Sequence, residues 1–298
     1  MKSPALKNIL TLLSNIALIV VIPAAFAKPP SSAASLQPVW TLEGIDTPES
    51  VIEINHKRQN YFLVSAIEGD FFTKDGKGSL VKINSRGEVL DMNWVTGLNA
   101  PKGMAQYKDK VYVADIDEVV VVDINSATVI EKIKIQDAVF LNDVAADQQG
   151  TVYVSDTFSG RVYRLKNHQA DVYLEGVTGA NGLWAEPDRL LVGAANQLLA
   201  YDFHTQSQQK QPQQIGANFP MDIDGITPWK CSGYLISSWP GQISLITKKG
   251  EQTLLLDSVA EGINTADIMY SEKAKLLFVP NFFHNTVSAY RVKVSANF

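Results

Sequence analysis

The chain has one cysteine, Cys231, in 298 residues, so it can build neither an intrachain disulfide nor a thiolate metal cluster. Histidine is almost as scarce. His56, His168, His204 and His284 are scattered, which argues against a typical zinc site. There is no Gly-x-Ser-x-Gly elbow to present a serine nucleophile, and no Walker loop or dinucleotide fingerprint to cradle phosphates. Basic clusters are missing too. With 26 Lys and Arg against 31 Asp and Glu, and a formal charge of −5, the chain offers nucleic acid no attractive field. Long amphipathic helical patterns are absent after residue 35.

Only one apolar run is long, residues 9–22. It follows Met1, Lys2 and Lys7 and precedes Ala25-Phe26-Ala27, the charged, apolar and small-residue order of a secretory leader. The run is shorter than a spanning helix needs and is interrupted by Ser14 and Asn15. The expectation is therefore cleavage after Ala27, a periplasmic or secreted product and no membrane contact after cleavage. Residues 28–38, with Pro29-Pro30-Ser31-Ser32, read as a flexible lead-in, and 39–298 as one domain.

What the remainder does contain is hydrophobic sequence in short pieces: 46% of residues are hydrophobic and 19% charged. Runs such as 111–114, 119–123 and 276–279 are β-branched or aromatic and bounded by turn residues, the mark of strands. They repeat. Glu49, Lys102, Asn142, Asn181 and Asp224 each open a similar unit, at spacings of 53, 40, 39 and 43 residues, and a sixth unit opens at Ala266 or Asp267. Units of about 40 residues with four strands each are propeller blades.

The third unit shows the order most clearly, with strands at 142–146, 151–155, 161–165 and 171–174 separated by turns. Trp40-Thr41-Leu42-Glu43-Gly44-Ile45 stands before Glu49 as Val172-Tyr173-Leu174-Glu175-Gly176-Val177 stands before Asn181. The second segment is an outer strand, so the first should be one also. The last unit, with strands at 267–270, 276–280 and 286–292, lacks an outer strand. The fold expected is all-β, a six-bladed β-propeller whose ring is closed by the N-terminal strand joining the C-terminal blade.

In such a ring the residues opening the inner strands converge at one mouth of the central channel. Two carboxylates and two amides there, Glu49, Asp224, Asn142 and Asn181, form an oxygen-only set suited to one divalent cation. Ca²⁺ is favoured, with Mg²⁺, Mn²⁺ or Zn²⁺ as alternatives. Such an ion polarises an ester carbonyl, and a neighbouring carboxylate accepts the proton of an attacking water; Asp224 is the candidate base. The turns on the same face carry Phe71-Phe72, Phe158, Trp239 and Phe282-Phe283, walls for an apolar small molecule. The loop from 65 to 79 is the candidate lid. Lys102, Asp143, Asp267 and His284 complete the expected pocket.

The set Glu49, Asn142-Asp143, Asn181-Gly182 and Asp224-Gly225, in this order and spacing, resembles the gluconolactonase, regucalcin (SMP-30) and luciferin-regenerating-enzyme family, and more distantly the paraoxonase-type lactonases. The resemblance spans nearly the whole expected mature chain through motifs that are individually short. It implies a divalent ion held at Glu49, Asn142, Asn181 and Asp224, hydrolysis of lactones or related esters, and a base at Asp224. One departure stands out. Sugar-acid lactonases of this group carry an arginine two residues before the first asparagine, and here that position is Phe140. The expectation is a monomer acting on a substrate more apolar than a sugar acid. The alternative is a non-catalytic propeller, NHL-like or strictosidine-synthase-like, that holds a ligand or partner at the same mouth.

Overall fold

The computed structural model describes residues 34–205 and 211–294; the leader expected over 1–27 lies outside the described residues. Twenty-four strands form six four-stranded antiparallel sheets. Each sheet is a blade. The inner strands are Pro48–His56, Pro101–Tyr107, Leu141–Ala146, Ala180–Ala185, Ile223–Trp229 and Met269–Ser271, and each packs beside the inner strands of the two neighbouring blades. Among the described residues no helix is long and apolar enough to cross a membrane.

Second strands such as Val152–Asp156, Gly233–Ser238 and Leu276–Asn281 are buried along their whole length, since each is covered by a blade on both faces. That is why they read as near-continuous apolar runs instead of alternating ones. The core is divided accordingly, into clusters most of which join two neighbouring blades. Phe62 and Val64 of blade 1, for example, meet Phe278 and Val287 of blade 6, with the Phe62 and Phe278 rings stacked at 4.1 Å.

Ala34–Glu43 pairs antiparallel with Thr286–Val294, from Ala34 opposite Val294 to Glu43 opposite Thr286, with one shift of register between Pro38 and Trp40. The ring closes as the seven-residue correspondence predicts. The closing strand starts earlier than expected, and residues 34–38, read as lead-in, belong to it; its partner offers an unpaired edge over nine residues, and pairing continues while donors remain. Trp40 fastens the junction. Its ring packs edge-on against Phe278 at 5.6 Å and its Nε1–H donates to the Ser85 carbonyl at 3.0 Å.

The register of the sixth blade is settled by its neighbours. Asp267 N–H donates to the Glu49 carbonyl at 3.0 Å and Asp267 bridges to Ser50. In the same way Gly103 lies against Asp143, and Gly225 against Asp267. Asp267 therefore stands second in its blade, with Ser50, Gly103, Asp143 and Gly225. Ala266 takes the opening position.

Candidate functional site at the channel mouth

Each inner strand of blades 1 to 5 has an irregularity of register at its start, between Pro48 and Ser50, Pro101 and Met104, Leu141 and Val144, Ala180 and Leu183, and Ile223 and Ile226. Bulges of this kind re-aim side chains. Here they turn Glu49, Lys102, Asn142, Asn181 and Asp224 to one cavity of about 600 Å³. Glycine after several of them permits the close approach of blades: a Cβ at Gly182 would lie 2.4 Å from the Asp224 carbonyl oxygen. Serine stabilises the same bend. Ser65, Ser155 and Ser237 Oγ accept the N–H groups of Ser50, Asp143 and Gly225 at 2.9, 2.9 and 2.8 Å.

The mouth has a polar crescent and an apolar wedge. In the crescent, Asn181 Nδ2–H donates to Asp224 Oδ1 at 2.6 Å, Asn142 Nδ2–H donates to Thr157 Oγ1 at 3.2 Å, and Thr157 O–H donates to the Ala180 carbonyl at 2.9 Å. The wedge is the cluster of Ile67, Ala100, Ile116, Ala266 and Phe282. Glu49 and Asp224 are both buried, and each keeps one oxygen, Oε2 and Oδ2, without a hydrogen-bond partner. Burial raises the Asp224 carboxyl to about 7, against the lowering effect of Asn181. It pushes Glu49 well above the usual carboxylate range, with Asp224 adding to the rise and Lys102 opposing it.

Lys102 is 2% exposed. Its ammonium donates to the Ala100 carbonyl at 3.1 Å and stands 4.4 Å from the centroid of the Phe140 ring. Burial lowers its pKa to about 8, while Glu49 and Asp115 pull it upward.

Above this floor the aromatics form the rim. Phe140 and Phe158 stack at 4.6 Å, Phe72 of the long loop lies 5.1 Å from Phe140, and Trp239 meets Phe282 edge-on at 4.6 Å. Phe71 meets Phe282 edge-on at 6.5 Å. The loop carrying Phe71 and Phe72 is held to blade 2 by a Lys74–Asp117 ion pair at 2.5 Å.

Three expected pocket residues lie elsewhere. Asp143 and Asp267 do not line the cavity. As second residues of their blades they are buried beneath it, where Asp143 accepts Leu183 N–H and Val144 N–H, each at 2.6 Å, and Asp267 accepts the Ser50 hydroxyl at 2.6 Å. Burial raises Asp143 to about 7 and Asp267 well above the usual range. His284 ends the short 3₁₀ turn Phe282–His284. With successive side chains ~120° apart in such a turn, Phe282 enters the mouth and His284 faces a separate outer cleft beside Glu43 and Asn285. Thr157, Gly179, Met221 and Asp222 line the cavity without having been anticipated. Gly179 and Asp222 stand two residues before their opening residues, the offset of Phe140, and that repeat was available to find them.

The ring supplies four potential oxygen donors from two carboxylates and two amides. Among the described residues no cluster of three or more His, Cys, Asp or Glu side chains is arranged to hold a metal ion, so a cation site here depends on the amides. The two unpartnered carboxylate oxygens fit that use, because a buried anionic oxygen without a donor is costly unless a cation meets it.

No protein-family model matches the sequence, and comparison with curated proteins finds no match. Solved structures do match. A gluconolactonase-like protein superposes with a TM-score of 0.62 at 13% identity, covering 88% of this chain and 93% of its own. The chain has the fold of the gluconolactonase-like propellers. A luciferin-regenerating enzyme gives 0.61 at 14%, over 87% and 96%. An auxiliary nutrient binding protein from Bacteroides thetaiotaomicron gives 0.63 at 10%, over 82% and 69%. At these identities the likeness to the gluconolactonase-like propellers is one of fold, and function rests on the site.

Proposed function

We propose that the protein is a divalent-metal-dependent hydrolase of lactones or related esters with an apolar body. The observation that carries this reading is the pair of buried carboxylates, Glu49 and Asp224, each with an oxygen lacking a partner at the bottom of an aromatic-walled cavity. Glu49, Asn142, Asn181 and Asp224 would hold the ion, Ca²⁺ by preference for an all-oxygen set, and its chemistry there would be to polarise the acyl oxygen and acidify a water.

The chain's own groups do the rest. Asn181 fixes the Asp224 carboxylate through Oδ1, and that carboxylate takes a proton from water as the water attacks the acyl carbon. The proton then passes to the leaving alkoxide as the ring or ester C–O bond breaks. Burial raises this carboxyl to about 7 without an ion, and a bound divalent cation would pull it down and keep it ionised, able to accept a proton, near neutral pH. Phe140 and Phe158 on one side, and Trp239 and Phe282 on the other, hold the apolar body and exclude water.

The test is hydrolysis of a panel of alkyl- and aryl-substituted lactones by metal-loaded and EDTA-treated protein, with elemental analysis of bound metal. About one divalent ion per chain, chelator-sensitive turnover, and a loss of ~100-fold or more in Asp224→Asn are expected. Turnover indifferent to both EDTA and Asp224→Asn overturns the reading.

A second reading has an observation of its own. Lys102 places a buried ammonium beside Glu49, a fixed cation that neutralises part of the ring without metal. The mouth is then a binding pocket, and ligand affinity that survives EDTA and Asp224→Asn, with no turnover, supports it.

A further inference from the structure

Of the six opening positions, the one in blade 2 carries a cation that the metal set does not use. Lys102 lines the cavity and is almost wholly buried. Among the described residues it takes part in no ion pair, and its one hydrogen bond goes to the Ala100 carbonyl. An ammonium has three donors. A buried charge with donors to spare is expensive unless something accepts them; Glu49 attracts the ammonium without a hydrogen bond or ion pair to it, which leaves those donors for an oxygen in the cavity.

The aromatic beside it decides what that something looks like. The ammonium stands over the face of Phe140, and Phe140 continues into the stack with Phe158 and Phe72. An acceptor oxygen on Lys102 therefore belongs to a molecule whose next atoms run along an aromatic surface. Most of the cavity wall beyond is apolar, and about 600 Å³ is room for a small aryl or medium-chain alkyl body.

We propose that Lys102 donates to an acyl oxygen of the ligand, the carbonyl oxygen of an aryl- or alkyl-bearing lactone or ester, alongside the ion the ring would hold, and a carboxylate oxygen of its product. This rests on the hydrolase reading for the ester and extends it by assigning the acyl oxygen to a residue of blade 2. The positive charge that a sugar-acid site would place two residues before Asn142 stands here over the face of the Phe140 ring, where it donates to an oxygen whose neighbours lie along that aromatic surface.

The test compares two probes of one shape, 4-phenylbutyrate and 4-phenylbutanol, by isothermal titration calorimetry on calcium-equilibrated wild type, Lys102→Met and Lys102→Arg. Wild type should bind the carboxylate more tightly than the alcohol. Lys102→Met should weaken the carboxylate by ~10-fold or more, the worth of one charged hydrogen bond, and leave the alcohol within about twofold. Lys102→Arg should recover part of the loss. Equal weakening of both probes makes Lys102 a packing residue and overturns the proposal, as does carboxylate affinity that ignores the substitution or wild-type protein that binds neither probe. Thermal melts confirm that the variants are folded. Because binding is measured and turnover is not, a failed lactonase assay leaves this result readable, and the reverse also holds.

Discussion

Asp224 is where proton and metal chemistry compete. Its carboxyl is raised to about 7 in the folded chain, against ~3.9 when unfolded. Between those values the folded state binds more protons, so without divalent ion stability falls as pH rises from about 4 to about 7 and then levels off. Glu49, Asp143 and Asp267, raised by burial as well, steepen the fall, while Lys102, lowered to about 8, acts with the opposite slope only above that pH. Asp224→Asn should therefore flatten the decline and, in EDTA near pH 8, melt higher than wild type by a few degrees, at roughly 2–4 °C per kcal/mol for a chain of this size. Calorimetry with and without calcium checks it: added calcium should stabilise wild type and leave the variant little changed. The opening residues were legible because an unusual donor recurs at nearly constant spacing. Asp143, expected in the pocket or just behind it, takes the place behind it, and of Ala266 and Asp267 it is Ala266 that opens blade 6; alternation along a strand says which face a residue takes only where the register is regular, and in blade 3 the register shifts between Leu141 and Val144.

At the scale of the strand, the bulges and the glycines that accompany them set how closely the donors approach. Gly182→Ala would put a Cβ 2.4 Å from the Asp224 carbonyl oxygen and 3.1 Å from Gly225 Cα, driving the inner strands of blades 4 and 5 apart. Calcium affinity should fall by ~10-fold or more, equivalent to about 1.4 kcal/mol, with the overall circular dichroism unchanged; calorimetric titration reads it. The closing strand was legible from the seven-residue offset shared with blade 3, but its true start at Ala34 was not. Residues 34–38 were counted with the lead-in, whereas the pairing shifts register between Pro38 and Trp40 and continues to Ala34. Trp40→Ala removes the contacts with Phe278 and Ser85 and should cost about 3 kcal/mol, measured by urea unfolding.

At the scale of the whole molecule, stability comes from a closed circuit of blade-to-blade clusters without a covalent staple, the one cysteine being exposed. Removing residues 34–43 would bare the edge of Thr286–Val294 along its length and uncover the cluster around Phe278 and Val287. The shortened chain should leave the soluble monomer fraction on size-exclusion chromatography, as an exposed apolar edge invites pairing with another chain. The propeller was readable because its repeat is a matter of spacing and composition. The outward turn of His284 and the apolar wedge depend on how turns pack, which spacing does not encode.

Ala34 and Val294 face each other across one ladder step, so the ring has a seam where both edges of the fabric already touch. A short turn sewn between them would make blade 6 an ordinary run of hairpins, and the chain could then be cut in another blade's outer connection without changing any side chain at the mouth. Such circular permutants would move the seam around the ring and show whether the order of synthesis, as well as the finished circle, matters to this architecture.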